Sequence, residues 1–222
     1  MRFLFLLWTT AATLLAAAPR ELVSALEHFR SDPPRNWSFT QTTIADGKST
    51  VERHDATRPE FARWSLLQKD GRTPTPAELK DYAEARSRRS RTGTAPKLTE
   101  QLLLDATETV SESADRSVYR CPLRQGESRD KTALSLRATL VLHKPTQVIE
   151  SVELANIETF RPTLGVKITA LKTTMRYSQP DGDTPSLPQA VATHLRGTAF
   201  FFKSLDADMT VTFSDYERVG KR

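Results

Sequence analysis

From Thr107 to the C-terminus the chain is written almost entirely in period two. Leu136, Ala138, Leu140 and Leu142 alternate with Arg137, Thr139, Val141 and His143. Leu164, Val166, Ile168 and Ala170 repeat the pattern further on. Residues two apart share one face of a strand, so such runs bury one side of a sheet and leave the other to water. Further strands are expected over Thr107 to Glu112, Ser117 to Leu123, Val148 to Ile157, Val191 to Lys203 and Met209 to Val219. Hairpins are expected around Ala114-Asp115 and around Leu205-Asp206-Ala207, with a turn-rich loop from Pro180 to Pro188. Three more strands precede this half: Trp37 to Ile44, Ser49 to His54 across an Asp46-Gly47 turn, and Phe61 to Leu67.

Helices are few. Leu22, Val23, Leu26 and Phe29 recur at helical spacing, and Pro33-Pro34 stops the segment. Thr75-Pro76-Ala77-Glu78 reads as a capping box, with Thr75 as N-cap, Pro76 first in the helix and Glu78 third. That helix is expected to reach Arg89 with Leu79, Tyr82 and Ala83 on one side; a short helix follows from Leu98 to Leu104. Local connections favour antiparallel pairing, and strands this long tend to curl. The fold class is therefore mainly β (α+β): an open antiparallel half-barrel of about 10–11 strands, with two or three helices covering the hollow.

Phe200, Phe201 and Phe202 break the alternation, so both faces of the last hairpin ask for cover. Gly197 and Ala199 beside them leave room for a helix or for a cavity. Two readings stand: a sheet filled by its own helices and loops, or a greasy groove for an acyl chain. Under the second, Leu140, Leu154, Val166, Ile168, Phe200, Phe202, Val211 and Phe213 are the candidates to line the cavity.

Residues 1–18 read as an export signal: Arg2, an apolar run from Phe3 to Leu15, then Ala16-Ala17-Ala18. An uncleaved anchor is the other reading, although the run is short for a span of about 20 residues. Residues 19–222 are expected to form one periplasmic domain. The net charge of +5 arises locally, since ten Lys or Arg against five Asp or Glu lie between Arg58 and Lys97. This basic helical insertion, about residues 69–97, ends in Arg86, Arg88, Arg89 and Arg91. One or two such cations suit a helix C-terminus; four within six residues are candidates for docking to an anionic membrane surface or an envelope protein. Nucleic acid is not an expected partner of an exported chain.

Little in the sequence speaks for catalysis. G-x-S-x-G, H-E-x-x-H, P-loop and C-x-x-C patterns are all missing. Asp181, Asp183, Asp206, Asp208 and Asp215 fall at expected turns or strand ends, where Asp bonds backbone. The lone Cys121, next to Pro122 in a strand, reads as a buried structural thiol. The four His are scattered, and no cofactor or metal is expected.

Three stretches carry a resemblance: Trp64-SLLQKDGRTPTPAELKDYAEARSRRS-Ser90, Phe160-RPTLGVKITALKTTMRY-Tyr177 and the closing GTAFFFKSLDADMTVTFSDYERV. Together they resemble a group of uncharacterised exported bacterial proteins, itself similar to the LolA/LolB-like and RseB-like periplasmic superfamily. The resemblance implies an open β-barrel plugged by helices that binds by cavity, without cofactor or covalent chemistry. LolA-like members carry lipoprotein acyl chains; RseB-like members sense mislocalised envelope components. The Lys69 to Arg91 insertion matches no functional element of LolA, so no binding residue is carried over. Two functions follow as expectations: a non-enzymatic carrier of a lipid or acylated protein, or an envelope-stress regulatory or scaffold protein that binds a protein partner without lipid.

Overall fold

The computed structural model describes residues 18–89, 97–125, 132–200 and 202–220. Residues 1–17 of the expected export signal, Arg91 and Phe201 lie outside the described residues. Eleven strands form one open antiparallel sheet: β1 (Trp37–Ala45), β2 (Lys48–His54), β3 (Trp64–Lys69), β4 (Glu108–Glu112), β5 (Arg116–Pro122), β6 (Leu136–His143), β7 (Val148–Asn156), β8 (Val166–Tyr177), β9 (Pro188–Ala199), β10 (Lys203–Ser204) and β11 (Ala207–Arg218). Three helices accompany it: α1 (Arg20–His28), α2 (Pro76–Arg89) and α3 (Leu98–Gln101).

Period two decides the burial. In β6, Leu136, Ala138, Leu140 and Leu142 are buried and the residues between them are not. The strand order is β3-β2-β1-β11-β9-β8-β7-β6-β5-β4, with β10 on β9. The meander from β4 to β9 uses local connections only, as the turns lead one to expect. The N-terminal hairpin then joins it through β1 against β11, in a register running from Trp37 opposite Arg218 to Ala45 opposite Met209. That long-range pairing leaves β3 and β4 as free edges, and every residue of β4 is exposed.

The main core lies where α1 and α3 cover β5 to β7. Leu22 and Leu26 of α1 and Leu102 after α3 join Tyr119, Leu140, Leu142, Ile149 and Val152 there. Phe29 meets Tyr177 edge-on at 4.9 Å. A smaller core of Leu136, Phe160 and Ile168, with Leu154, Leu171, Leu195 and Leu205 against it, closes the end of β6 to β9. Phe160 arrives from the β7–β8 loop and pairs its backbone with Ile168.

The last hairpin departs from expectation. The chain turns at Phe200 and Phe202, not at Leu205-Asp206-Ala207, so these two residues do not alternate along a strand. β9 ends at Ala199 and Lys203 pairs straight back onto it. Phe200 takes a left-handed φ of 49°, a conformation that costs a bulky residue on the order of 1–3 kcal/mol. Asp206, whose type suggests a turn, instead sits in an irregularity between β10 and β11, where its Oδ1 accepts the Gly197 N–H at 3.2 Å. The third strand also starts later than expected: Glu60–Ala62 forms a 3-10 turn after Pro59, which leaves Phe61 exposed.

Gly197 faces the β8 bulge at close range. A Cβ built there would lie 2.6 Å from the Lys167 carbonyl oxygen and 3.0 Å from Ile168 Cδ1. Backbone cannot yield as a flexible side chain does. Gly197→Ala is expected to cost about 2 kcal/mol, or roughly 4–8 °C in Tm. An unchanged melting curve would show that the β8–β9 seam is looser than this contact requires.

Candidate functional site

Strand pairing fixes which residues look toward the helices. Residues directly opposite in an antiparallel pair share a face. Leu140 opposes Val152, Val152 opposes Met175, Met175 opposes Val191, Val191 opposes Val211, and Val211 opposes Thr43. Leu140 and Val152 belong to the core under α1, so this whole row is on the helix-bearing face. Gln41 and Glu52, which oppose one another, lie on that face too, because Gln41 is two residues from Thr43. Glu52 is what α2 touches. Hence α1 and α2 sit on the same face, over different parts of the sheet.

α2 is held by a small polar latch. Its first turn carries the capping box: Glu78 Oε2 accepts the Thr75 N–H at 2.8 Å, and the Glu78 N–H donates to Thr75 Oγ1 at 3.3 Å. Arg72 grips the same carboxylate with both terminal nitrogens, at 2.8 and 2.9 Å, and Lys69 adds a contact at 3.0 Å. Arg72 and these further bonds hold the Glu78 carboxyl well below its ordinary range. One turn on, Tyr82 donates to Glu52 Oε1 at 2.8 Å, and Arg86 Nη2 donates to the same oxygen at 2.9 Å. Gln41 Nε2 donates to Glu52 Oε2 at 3.1 Å. Glu52 is only 6 % exposed, so its charge depends on these donors. Burial pushes the Tyr82 phenol up to about 12.

Arg86 also places its guanidinium carbon over Trp64, 3.9 Å from the ring centroid, a cation–π placement. Beneath it is an aromatic cluster. Phe39 packs on His54 at 4.9 Å, Trp64 at 5.5 Å, Phe213 at 5.8 Å and Tyr216 at 5.6 Å. Phe213 and Tyr216 are three apart, a spacing that normally puts strand residues on opposite faces. A bulge against Ser38 and Thr40, with Asp215 at a φ of 51°, inserts the extra residue that turns both rings inward. Desolvation lowers the His54 pKa.

Between the two covers the face is bare of helix among the described residues. α1 lies on β7 and α2 on β2 and β3. Five strand spacings separate β7 from β2, about 24 Å along the sheet at 4.8 Å each. One helix diameter of about 10 Å, shared between the two half-widths, leaves about 14 Å of open floor. An apolar strip of Met175, Val191, Val211 and Met209 crosses this floor, flanked by Thr43, Thr173 and Thr193. Met209 opposes Thr193 and Ala45, so it points to the helix side, and it is still 37 % exposed. The Thr173 and Thr193 hydroxyls satisfy each other at 3.1 Å. The arrangement can bind an extended apolar group; among the described residues no group of three His, Cys, Asp or Glu is placed to hold a metal.

No protein-family model matches the chain. No curated protein matches it either. Among solved structures, it is similar to a candidate outer membrane lipoprotein-sorting protein domain from Vibrio parahaemolyticus, at 11 % identity and a TM-score of 0.39, over 91 % of this chain and 93 % of that one. It is also similar to a DUF1329 family protein from Desulfovibrio piger, at 10 % identity and a TM-score of 0.36, over 91 % and 92 % of the two chains. Both likenesses are distant.

The eight apolar candidates scatter over five places. Leu140 is fully buried in the main core. Ile168 and Leu154 belong to the second core, with Val166 at its rim. Phe213 is in the aromatic cluster. Phe200 and Phe202 are exposed at the hairpin tip, 64 % and 86 %. Of the eight, Val211 alone lies on the open floor. Arg86 is no free docking cation, since Glu52 and Trp64 engage it. The side chains of Arg88 and Arg89 lie outside the described residues, as does Arg91. Cys121 is buried, with its thiol 3.3 Å from the Thr107 hydroxyl, and burial raises its pKa.

Proposed function

We propose that this protein is a non-catalytic carrier of the cell envelope, which holds the acyl chain of a lipid or of an acylated protein on the helix-bearing face between α1 and α2. The observation that supports this most is Met209. A large apolar side chain stays exposed on the side of the sheet that packs the cores, in line with Val211, Val191 and Met175. A strip of this kind, rimmed by threonine hydroxyls and by a helix held through a few polar contacts, suits an extended apolar ligand. Residues 1–18 act in this reading as the export signal, and the carrier works in the periplasm. No catalytic group is assigned.

The test is ligand retention. Native mass spectrometry of protein recovered from the periplasmic fraction is expected to show a co-purifying fatty acid or phospholipid. The delipidated protein is expected to take up the fluorescent fatty acid cis-parinaric acid. Met209→Asp removes apolar floor at a partly exposed position. It is expected to leave the fold intact by circular dichroism and to weaken uptake tenfold or more, since setting a carboxylate against an alkyl chain costs at least about 1.4 kcal/mol. A clean apo mass with no uptake would overturn the carrier and leave the regulatory or scaffold reading.

A further inference from the structure

Three large apolar side chains are exposed where β8, β9 and β10 meet at one end of the sheet. Leu164 is 98 % exposed, Phe202 86 % and Phe200 64 %. They belong together in space. The Phe200 N–H donates to the Gly165 carbonyl at 2.7 Å. The Phe200 ring lies against Gly165, whose φ of 80° and lack of a side chain allow the contact; a Cβ there would meet the ring at 3.3 Å. Leu164 is the next residue, and Val166, Ala199 and Lys203 follow one another across neighbouring strands. Three large apolar side chains stand in solvent at one tip, one of them on a left-handed Phe200, and such a cluster asks for an apolar partner.

Cations surround this tip. The side chains of Arg161, Lys167 and Lys203 form no ion pair or hydrogen bond among the described residues. Arg161, Thr163, Leu164, Lys167 and Thr198 line an open cleft of about 530 Å³. Two carboxylates of the flanking segments are exposed as well: Glu158 accepts from Ser135 at 3.3 Å, and Asp206 accepts from Gly197. Exposed apolar side chains flanked by Arg161, Lys167 and Lys203, which outnumber Glu158 and Asp206, complement an interface whose interior is alkyl and whose surface is negative.

We infer that the β7–β8 loop, together with Phe200 and Phe202, forms a membrane-docking tip, which inserts Leu164, Phe200 and Phe202 into an anionic lipid bilayer while Arg161, Lys167 and Lys203 contact lipid phosphates. The inference stands apart from the carrier reading: a scaffold protein could dock in the same way, and a carrier could work without docking here.

The full chain tests it, because the readout is local. Leu164→Cys is labelled with the environment-sensitive fluorophore NBD; Cys121 is fully buried and stays unlabelled. Asp183→Cys in the β8–β9 loop, at the other end of these strands, serves as the control. Vesicles containing phosphatidylglycerol are expected to shift the Leu164 probe to the blue and leave the Asp183 probe unmoved, with neither responding to pure phosphatidylcholine. High salt is expected to reverse the shift. Replacing Arg161, Lys167 and Lys203 together by Ser is expected to lower vesicle affinity on the order of a hundredfold. Phe202→Ser, at a position too exposed to threaten folding, is expected to lower it about tenfold. No shift at Leu164, equal shifts at both sites, or binding indifferent to the three cations would overturn the inference. So would a concentration-dependent shift without vesicles, which would make the tip a self-association surface. Uptake of cis-parinaric acid is read separately, so a failure of docking and a failure of carriage are distinguishable.

Discussion

Leu140→Ala is expected to lower the free energy of unfolding by about 4 kcal/mol, in the upper part of the range for a buried leucine. Leu140 has no exposure at all and sits mid-strand in β6, opposite Tyr119 on one side and Val152 on the other. α1 adds Leu22 and Leu26 to the same core. Both neighbouring strands are fixed by their ladders, so little can collapse into the cavity. Against a total stability of about 5–15 kcal/mol, the loss is severe. It is measured as a fall in urea midpoint at unchanged slope. The folded variant is expected to take up cis-parinaric acid as before, because Val191, Val211 and Met209 of the floor lie outside this core and only Met175 of the strip packs against it. A loss under about 1.5 kcal/mol, together with altered uptake, would return Leu140 to the wall of an adaptable cavity.

That contrast shows what can be read from a sequence of this kind. Period two locates strands and names the buried face of each, as the four residues of β6 demonstrate. The capping box locates α2, because Thr75 and Glu78 act within one helical turn. Both signals are local. Whether a buried strand residue faces a helix, a loop or open floor depends on what crosses it, and that is decided far away in sequence. Leu140 and Val211 have the same kind of alternation and different fates, since Leu140 shares its core with Leu22 and Leu26 of α1 and Val211 does not. Pairing of β1 with β11 joins residues separated by most of the chain, and no short motif encodes it.

Glu52 was invisible for a related reason. In Lys48-STVER-His54 it shares a strand face with Thr50 and His54, so no apolar residue on its own side announces burial. Its partners Tyr82 and Arg86 come from 30 and 34 residues away. A hint existed: Tyr82 and Arg86 are four apart, and so share one face of the capped helix. The Phe200 turn was hidden in the opposite way. Its residue types suggest a strand, and the left-handed residue that closes the hairpin is one that steric preference disfavours.

Arg86→Ala carries the second large expectation, a loss of about 3 kcal/mol. That is the low end for breaking a buried pair, because the Arg86 side chain keeps 24 % exposure while Glu52 keeps 8 %. The loss has two sources: Glu52 remains buried with a charge that only Tyr82 and Gln41 still face, and Trp64 loses the guanidinium that covers it. α2 has few other anchors to the sheet beyond its tethered first turn at Glu78. Amide exchange over Ala77 to Ser87 is therefore expected to rise toward that of an isolated helix, which at this length is marginal in water. Arg86→Lys should rescue only part of this, since an ammonium cannot stack flat on Trp64 while reaching Glu52. The joint change Glu52→Leu with Arg86→Leu removes both charges and should recover most of the stability, giving a large coupling energy in the double-mutant cycle. If α2 stays protected in Arg86→Ala and stability moves by less than about 0.5 kcal/mol, the guanidinium is a solvated surface cation and the latch does not exist. If the latch is real, its release uncovers the aromatic end of the floor, and cis-parinaric acid should then bind and leave faster than in the unaltered protein.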